Sequence, residues 1–151
     1  MTRTYQIITQ SPEETKEWAK RLGRHLSGGE VLVLRGDVGA GKTTFTQGLA
    51  QGLSITETVN SPTFTIVKEY EGRLPLFHVD AYRLDEEEEL GLEEYFEGDG
   101  VSVIEWAERI PTQLPREYLE IIIESTGHQS RKLQFFSHGS RYQQLLEALF
   151  G

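Results

Sequence analysis

The stretch Gly36-Asp37-Val38-Gly39-Ala40-Gly41-Lys42-Thr43 matches G-x-x-x-x-G-K-[ST], a spacing whose residue types suit the cradling of nucleotide phosphates. Glycines let such a loop curl until successive backbone N–H groups point inward at phosphate oxygens. A helix that follows adds its positive N-terminal end. Lys42 then neutralises β- and γ-phosphate charge, and Thr43 offers a hydroxyl to Mg²⁺.

A site of this kind needs a further carboxylate at the tip of a neighbouring strand, holding Mg²⁺ through water. Two apolar stretches end in acid, Leu76-Phe77-His78-Val79-Asp80 and Val101-Ser102-Val103-Ile104-Glu105. Glu105 follows four residues with a buried pattern, so its charge is costly without a cation or another partner. It is assigned to the metal side, with an exposed strand end as the alternative. Asp80 is assigned to orienting water or a switch segment, with a turn-capping role as the alternative. Ser61-Pro62-Thr63-Phe64 stands where nucleotide switches place a γ-phosphate sensor, but Ser-Pro also begins strands, and both readings stay open. Trp106 has the pattern of a core residue. The histidines at 25, 78, 128 and 138 lack metal-ligand spacing and are expected to be ordinary.

The elements that must position these groups are legible from periodicity. The Val31-Leu32-Val33-Leu34 run, bounded by glycines, predicts a strand buried on both faces, and residues 42–51 carry Phe45 and Leu49 at helical spacing, with Gly52 placed to stop the helix. The loop thus joins strand to helix, as its motif requires. Residues 4–9 predict a strand. Ser11-Pro12-Glu13-Glu14 predicts a capped helix start, with Trp18, Leu22 and Leu26 on its buried face and Gly28-Gly29 as its stop. Residues 64–70 and 74–80 predict one hairpin, 118–125 and 131–137 a second, and 101–105 a buried strand. An acidic amphipathic helix is expected over 85–97, and Ser140 is expected to cap a last helix containing Leu145, Leu146 and Leu149. The predicted fold class is α/β: a single P-loop NTPase domain with a central, mainly parallel sheet, flanking helices and antiparallel hairpin additions.

The chain has 151 residues, and at about one domain per 100 to 200 residues this allows one domain. With no Cys, disulfides and thiolate chemistry are excluded. Lys plus Arg total 15 against 24 Asp plus Glu, a net charge of -9 that argues against direct binding to an RNA backbone or to anionic lipid. The imbalance is local, because residues 85–99 hold nine carboxylates and no basic residue. That gap also counts against the Arg-rich lid of a small-molecule kinase. The absence of N-K-x-D, and of D-x-x-G after the loop, counts against a GTPase. No apolar run approaches the length needed to span a bilayer, and a soluble cytoplasmic protein is expected.

GDVGAGKTTFTQGL at 36–49, SPTF at 61–64, HVDAYRL at 78–84, Glu-Glu-Tyr-Phe at 93–96 and VIEWAE at 103–108 together resemble the bacterial TsaE (YjeE) family. The phosphate loop alone would name a superfamily, whereas the added SPTF, HxDxYR and IEW set is specific to this one. The resemblance implies an ATPase required for threonylcarbamoyladenosine (t6A) beside the tRNA anticodon. It implies docking on a TsaD–TsaB transferase complex, with tRNA met only through that complex. By matching motif, Lys42 and the backbone from Gly36 to Thr44 would bind phosphates, while Thr43 and Glu105 would serve Mg²⁺. Ser61 and Thr63 would belong to the nucleotide-sensing switch, with Asp80 and Trp106 beside it and Arg83 contacting switch or partner. Adenine contacts would fall around Ser11 to Glu13 and near Arg131. The competing readings are a small-molecule P-loop kinase and a non-catalytic nucleotide-binding adaptor.

Overall fold

The computed structural model describes residues 4–37, 39–60, 67–82, 84 and 91–151. Its centre is the apolar run of the sequence, strand β2 (Val31–Arg35), in which Val31 to Leu34 are all buried. Residues alternate across a strand, so Leu32 and Leu34 join one hydrophobic cluster while Val31 and Val33 join another on the opposite face. A strand sandwiched this way must be central. β2 lies parallel to both β5 (Val101–Glu105) and β6 (Tyr118–Ser125), and β5 lies parallel to β4 (Leu76–Asp80).

Antiparallel partners complete both sides. β3 (Val67–Tyr70) pairs with β4, while β7 (Arg131–His138) pairs with β6 and carries β1 (Thr4–Thr9) at the edge. The seven strands run in the order β1-β7-β6-β2-β5-β4-β3. This is the expected architecture, a parallel centre with antiparallel additions.

Helices α1 (Pro12–His25), α2 (Lys42–Gly52) and α4 (Ser140–Phe150) cover one face and bury the larger cluster, including Leu22, Phe45, Leu49 and Leu146. Ser11 caps α1 as predicted, its side chain accepting from the Glu14 N–H. The buried stripe of α1 is Thr15, Ala19, Leu22 and Gly23, and Trp18 lies at its margin, stacked on Phe150 at 5.3 Å. The smaller cluster on the other face gathers Val79, Ile104 and Ala107 beneath α3 (Leu92–Glu97), which supplies Leu92.

Four local expectations are corrected. Leu26, in extended conformation, ends α1 before Gly28 and Gly29, whose positive φ values shape the following turn. Ser140 is the first residue of α4 and Gly139 its cap, without a side-chain bond. Gly52 belongs to α2 and is small because α1 crosses there, a Cβ on it colliding with the Lys20 carbonyl oxygen. The acidic helix expected over 85–97 is not continuous: α3 starts only at Leu92, after Gly91 in a left-handed conformation at φ 66, and residues 85–90 lie outside the described residues. Among the described residues no helix is long and apolar enough to cross a membrane.

Candidate functional site

The glycine-rich loop leaves the C-terminal end of β2 and enters α2 at Lys42. Gly41 is the N-cap of α2 with φ 109, a left-handed conformation that a residue with a Cβ would adopt only under strain. Ala40 donates its N–H to the Asp37 carbonyl at 3.0 Å, closing the turn. Arg131, arriving from β7, fastens the loop, with Nε donating to the Ala40 carbonyl at 2.8 Å and Nη2 to the Gly39 carbonyl at 3.4 Å. Its Nη1 donates to the Ser130 carbonyl at 2.8 Å, so one guanidinium ties the β6–β7 hairpin to the loop.

A cavity of about 290 Å³ opens over the N-terminus of α2, lined by Gly39, Gly41, Lys42, Thr43, Thr44, Asp80, Glu105, Trp106 and Arg131. Residues predicted from four separate stretches therefore converge. A second cavity of about 690 Å³ lies on the other flank of the loop, bounded by Gly36, Asp37, Gly39, Ala40 and residues 122–125. The register of β1 against β7 sets Thr9 opposite Arg131, which brings the Ser11 turn next to that hairpin. Ser11 itself is engaged in capping α1. Val38, Ser61, Thr63 and Arg83 lie outside the described residues.

Sheet geometry explains why the two acids meet. In parallel register Asp80 stands beside Glu105, which in turn stands beside Leu34 at the root of the loop. Alternation puts both side chains on the face that α2 covers. The two environments differ. Asp80 is half-buried and its Oδ1 accepts from the Tyr82 N–H at 3.0 Å, so it caps the turn after β4 as well as lining the cavity. Glu105 is 4% exposed, and burial of a carboxylate is tolerated when it is paired. Its Oε1 lies 3.8 Å from Lys42 Nζ and its Oε2 lies 2.5 Å from His78 Nε2. At an effective dielectric near 20, the Lys42 attraction amounts to about 4 kcal/mol before desolvation is charged against it.

Trp106 occupies the left-handed region at φ 61, a strain of roughly 1 to 3 kcal/mol for a residue with a Cβ. The ring lines the cavity while packing, partly buried, against the smaller hydrophobic cluster, so it serves the core and the site together. Lys42 Nζ sits 4.5 Å above the indole, and Tyr82 packs its ring edgewise at 5.0 Å. Arg109 continues the row over Tyr82 at 5.2 Å. His78 is the residue that sequence reasoning missed. It is fully buried within the face carrying Glu105. The available signal was its position two residues before Asp80, which places both on one side of a strand.

The arrangement offers a glycine-rich loop, a helix N-terminus, an ammonium group, a hydroxyl and two carboxylates around one cavity. Oxygen donors from one hydroxyl and one or two carboxylates suit Mg²⁺, which keeps several waters and takes few protein ligands. Thr43, Glu105 and Asp80 are oxygen-bearing side chains that line the cavity beside Lys42 and could hold such an ion, Thr43 and Glu105 being the pair expected from the sequence. Among the described residues, no group of three or more His, Asp or Glu side chains forms a cage of its own.

Fold and loop together define a mixed α/β protein of the phosphate-loop architecture. The sequence model of the family described as "Threonylcarbamoyl adenosine biosynthesis protein TsaE" matches residues 9–133. The chain belongs to that TsaE family. It is 55% identical over 143 residues to the tRNA threonylcarbamoyladenosine biosynthesis protein TsaE of Bacillus subtilis, covering 93% of this chain and 90% of that one. It is 45% identical to the protein of the same name from a Nostoc species, covering 85% and 83%. The crystal structure of Bacillus subtilis YdiB superposes with a TM-score of 0.86 at 47% identity, covering 99% of this chain and 95% of that one.

Proposed function

We propose that the chain binds ATP with Mg²⁺ on the Gly36 to Thr44 loop and hydrolyses it in support of t6A formation on tRNA, acting on the TsaD–TsaB transferase complex. The observation that carries this reading is the convergence of Lys42, Thr43, Asp80 and Glu105 on one cavity at the N-terminus of α2. Phosphoryl transfer demands chiefly positioning and charge stabilisation, and this set supplies both. The amides and Lys42 hold the phosphates, Thr43 and Glu105 hold the metal, and Asp80 stands where it can orient water. Held by Thr43 and Glu105, Mg²⁺ would supply positive charge to offset the negative charge developing on the phosphates. The names of the relatives support the tRNA pathway, and the family resemblance supports the transferase partners.

ATP shifts a partner equilibrium only through its differential affinity for two conformations, commonly about 1 to 3 kcal/mol of coupling. We expect the basal rate to be low and partner-dependent. Phosphate release should be measured for the chain alone, then with TsaD, TsaB and tRNA together. Acceleration by the complex supports the reading. Tight ATP binding with no turnover in either mixture would instead define an adaptor, and transfer of the γ-phosphate to a metabolite a kinase.

A further inference from the structure

His78 is an anomaly in an otherwise apolar strand interior. Its ring is fully buried, Nε2 meets Glu105 Oε2 at 2.5 Å, and Nδ1 has no hydrogen-bond partner among the described residues. A valine there would serve β4 packing without a stranded polar atom, and leaving a buried polar atom unpaired is destabilising. A half-satisfied buried pair is poor value as a stabilising device. Its directional effect remains. Glutamate χ3 is a broad, soft torsion, so an unrestrained carboxylate would rotate its plane and exchange its oxygens. With hydrogen on Nε2, His78 donates to Oε2, and Nδ1 is left as a bare acceptor, the less costly of the two atoms to strand.

We propose that His78 is a positioning residue for Glu105, fixing its carboxylate plane by a bond from Nε2 to Oε2 so that Oε1 is presented to the cavity and Lys42. This rests on the reading of Glu105 as the Mg²⁺-side carboxylate. The device reaches the cavity from behind, through the strand interior. It operates without contact between His78 and nucleotide, since His78 does not line the cavity.

Two variants separate orientation from packing. His78→Gln places an amide N–H near the former Nε2, whereas His78→Asn is too short to reach Glu105, and both bury a comparable amide. Binding of a non-hydrolysable ATP analogue should be measured by calorimetry with Mg²⁺ and with EDTA for wild type and each variant. Hydrogen-bond partners of ligating groups typically govern about 10- to 100-fold in metal affinity. His78→Gln is expected to keep the Mg²⁺ enhancement of binding within about 3-fold of wild type, and His78→Asn to lose about 10-fold or more of it. Equal enhancement in wild type and His78→Asn would overturn the positioning role while leaving the ATP reading intact. Loss in His78→Gln as complete as in His78→Asn would also overturn it. No analogue binding by wild type would overturn both. Should His78→Asn fail to fold, the wild-type chain labelled with ¹⁵N at histidine decides. A slowly exchanging, downfield Nε2–H signal that shifts when Mg²⁺ is added to the analogue-bound chain supports the role, and its absence or indifference to Mg²⁺ overturns it.

Discussion

Two histidine–glutamate–cation groups stand on opposite faces of the same sheet, and their difference separates a site from a surface. The first is His78, Glu105 and Lys42, spanning β4, β5 and the start of α2, with side-chain exposures of 0%, 5% and 8%. The second is His138, Glu120 and Arg35, spanning β7, β6 and β2. There His138 Nε2 lies 3.0 Å from Glu120 Oε1 and Arg35 Nε lies 2.5 Å from Oε2, with exposures of 34%, 17% and 28%. The components match, yet only the first group abuts a cavity beside a helix N-terminus. The second satisfies itself, since Arg35 also reaches Glu108 at 2.7 Å and Tyr118 stacks on His138 at 4.5 Å. Residue types alone would not tell the two apart, but full burial, with His78 Nδ1 lacking a hydrogen-bond partner among the described residues, does.

Breaking the first group should have the largest effects. Lys42→Ala removes the phosphate-facing charge and strips Glu105 of its cation. Loss of one partner of a buried charged contact costs about 2 to 5 kcal/mol, so ATP affinity by calorimetry should fall at least about 30-fold and tRNA modification should stop. If Lys42→Ala bound ATP like wild type, the loop would not be the site. Glu105→Gln is next. Hydrolysis with Mg²⁺ should fall on the order of 100-fold, the scale for losing a group that manages developing charge. ATP binding in EDTA should hold or improve, because Lys42 is released from its partner.

The second group should respond in stability only. Burial pushes the Glu120 carboxyl up, but hydrogen bonds from His138 and Arg35 outweigh it and hold the group below its ordinary value of 4.5. A carboxylate depressed in the folded state contributes stability that is complete above its ordinary value and lost as pH falls through the folded one. Glu120→Gln should therefore flatten the decline in urea stability below about pH 4.5 and leave ATP hydrolysis within about twofold of wild type. Smallest of all is Glu108→Gln. Its pairing with Arg35 is half exposed, and such surface pairs contribute about 0 to 1 kcal/mol to the unfolding free energy in urea. A drop in ATP hydrolysis from either variant would erase the distinction between the groups.

What local pattern determines was readable in advance. The bounds of β1 and β5, the Ser11 cap and the strand–loop–helix context of Gly36 to Thr43 follow from alternation, capping chemistry and glycine spacing within a few residues. Glu105 was legible because an acid closing a buried run needs a partner. The partner's identity was not, since His78 lies on another strand and meets Glu105 only through the parallel register of β4 and β5. Arg131 illustrates the same limit, for its role in fastening the loop depends on a pairing ninety-one residues away. Gly52 failed for a different reason. Its size answers to a neighbouring helix, which periodicity within α2 does not reveal.

The clamp made by Arg131 has a bearing on the order in which the protein matures at the ribosome. The loop emerges early, but the guanidinium that holds the carbonyls of Gly39 and Ala40 comes with β7, and β1 finds its pairing partner only in that same strand. Contacts this distant in sequence form late and slowly. A nascent chain that has released β2, α2, β4 and β5 thus already exposes the lysine and both carboxylates, while its loop is still unfastened and its first strand is an unpaired edge. Synthesis must pass residue 131 before the loop acquires its clamp, so translational pausing ahead of that point would prolong an interval in which the half-made sheet is open to pairing with other chains.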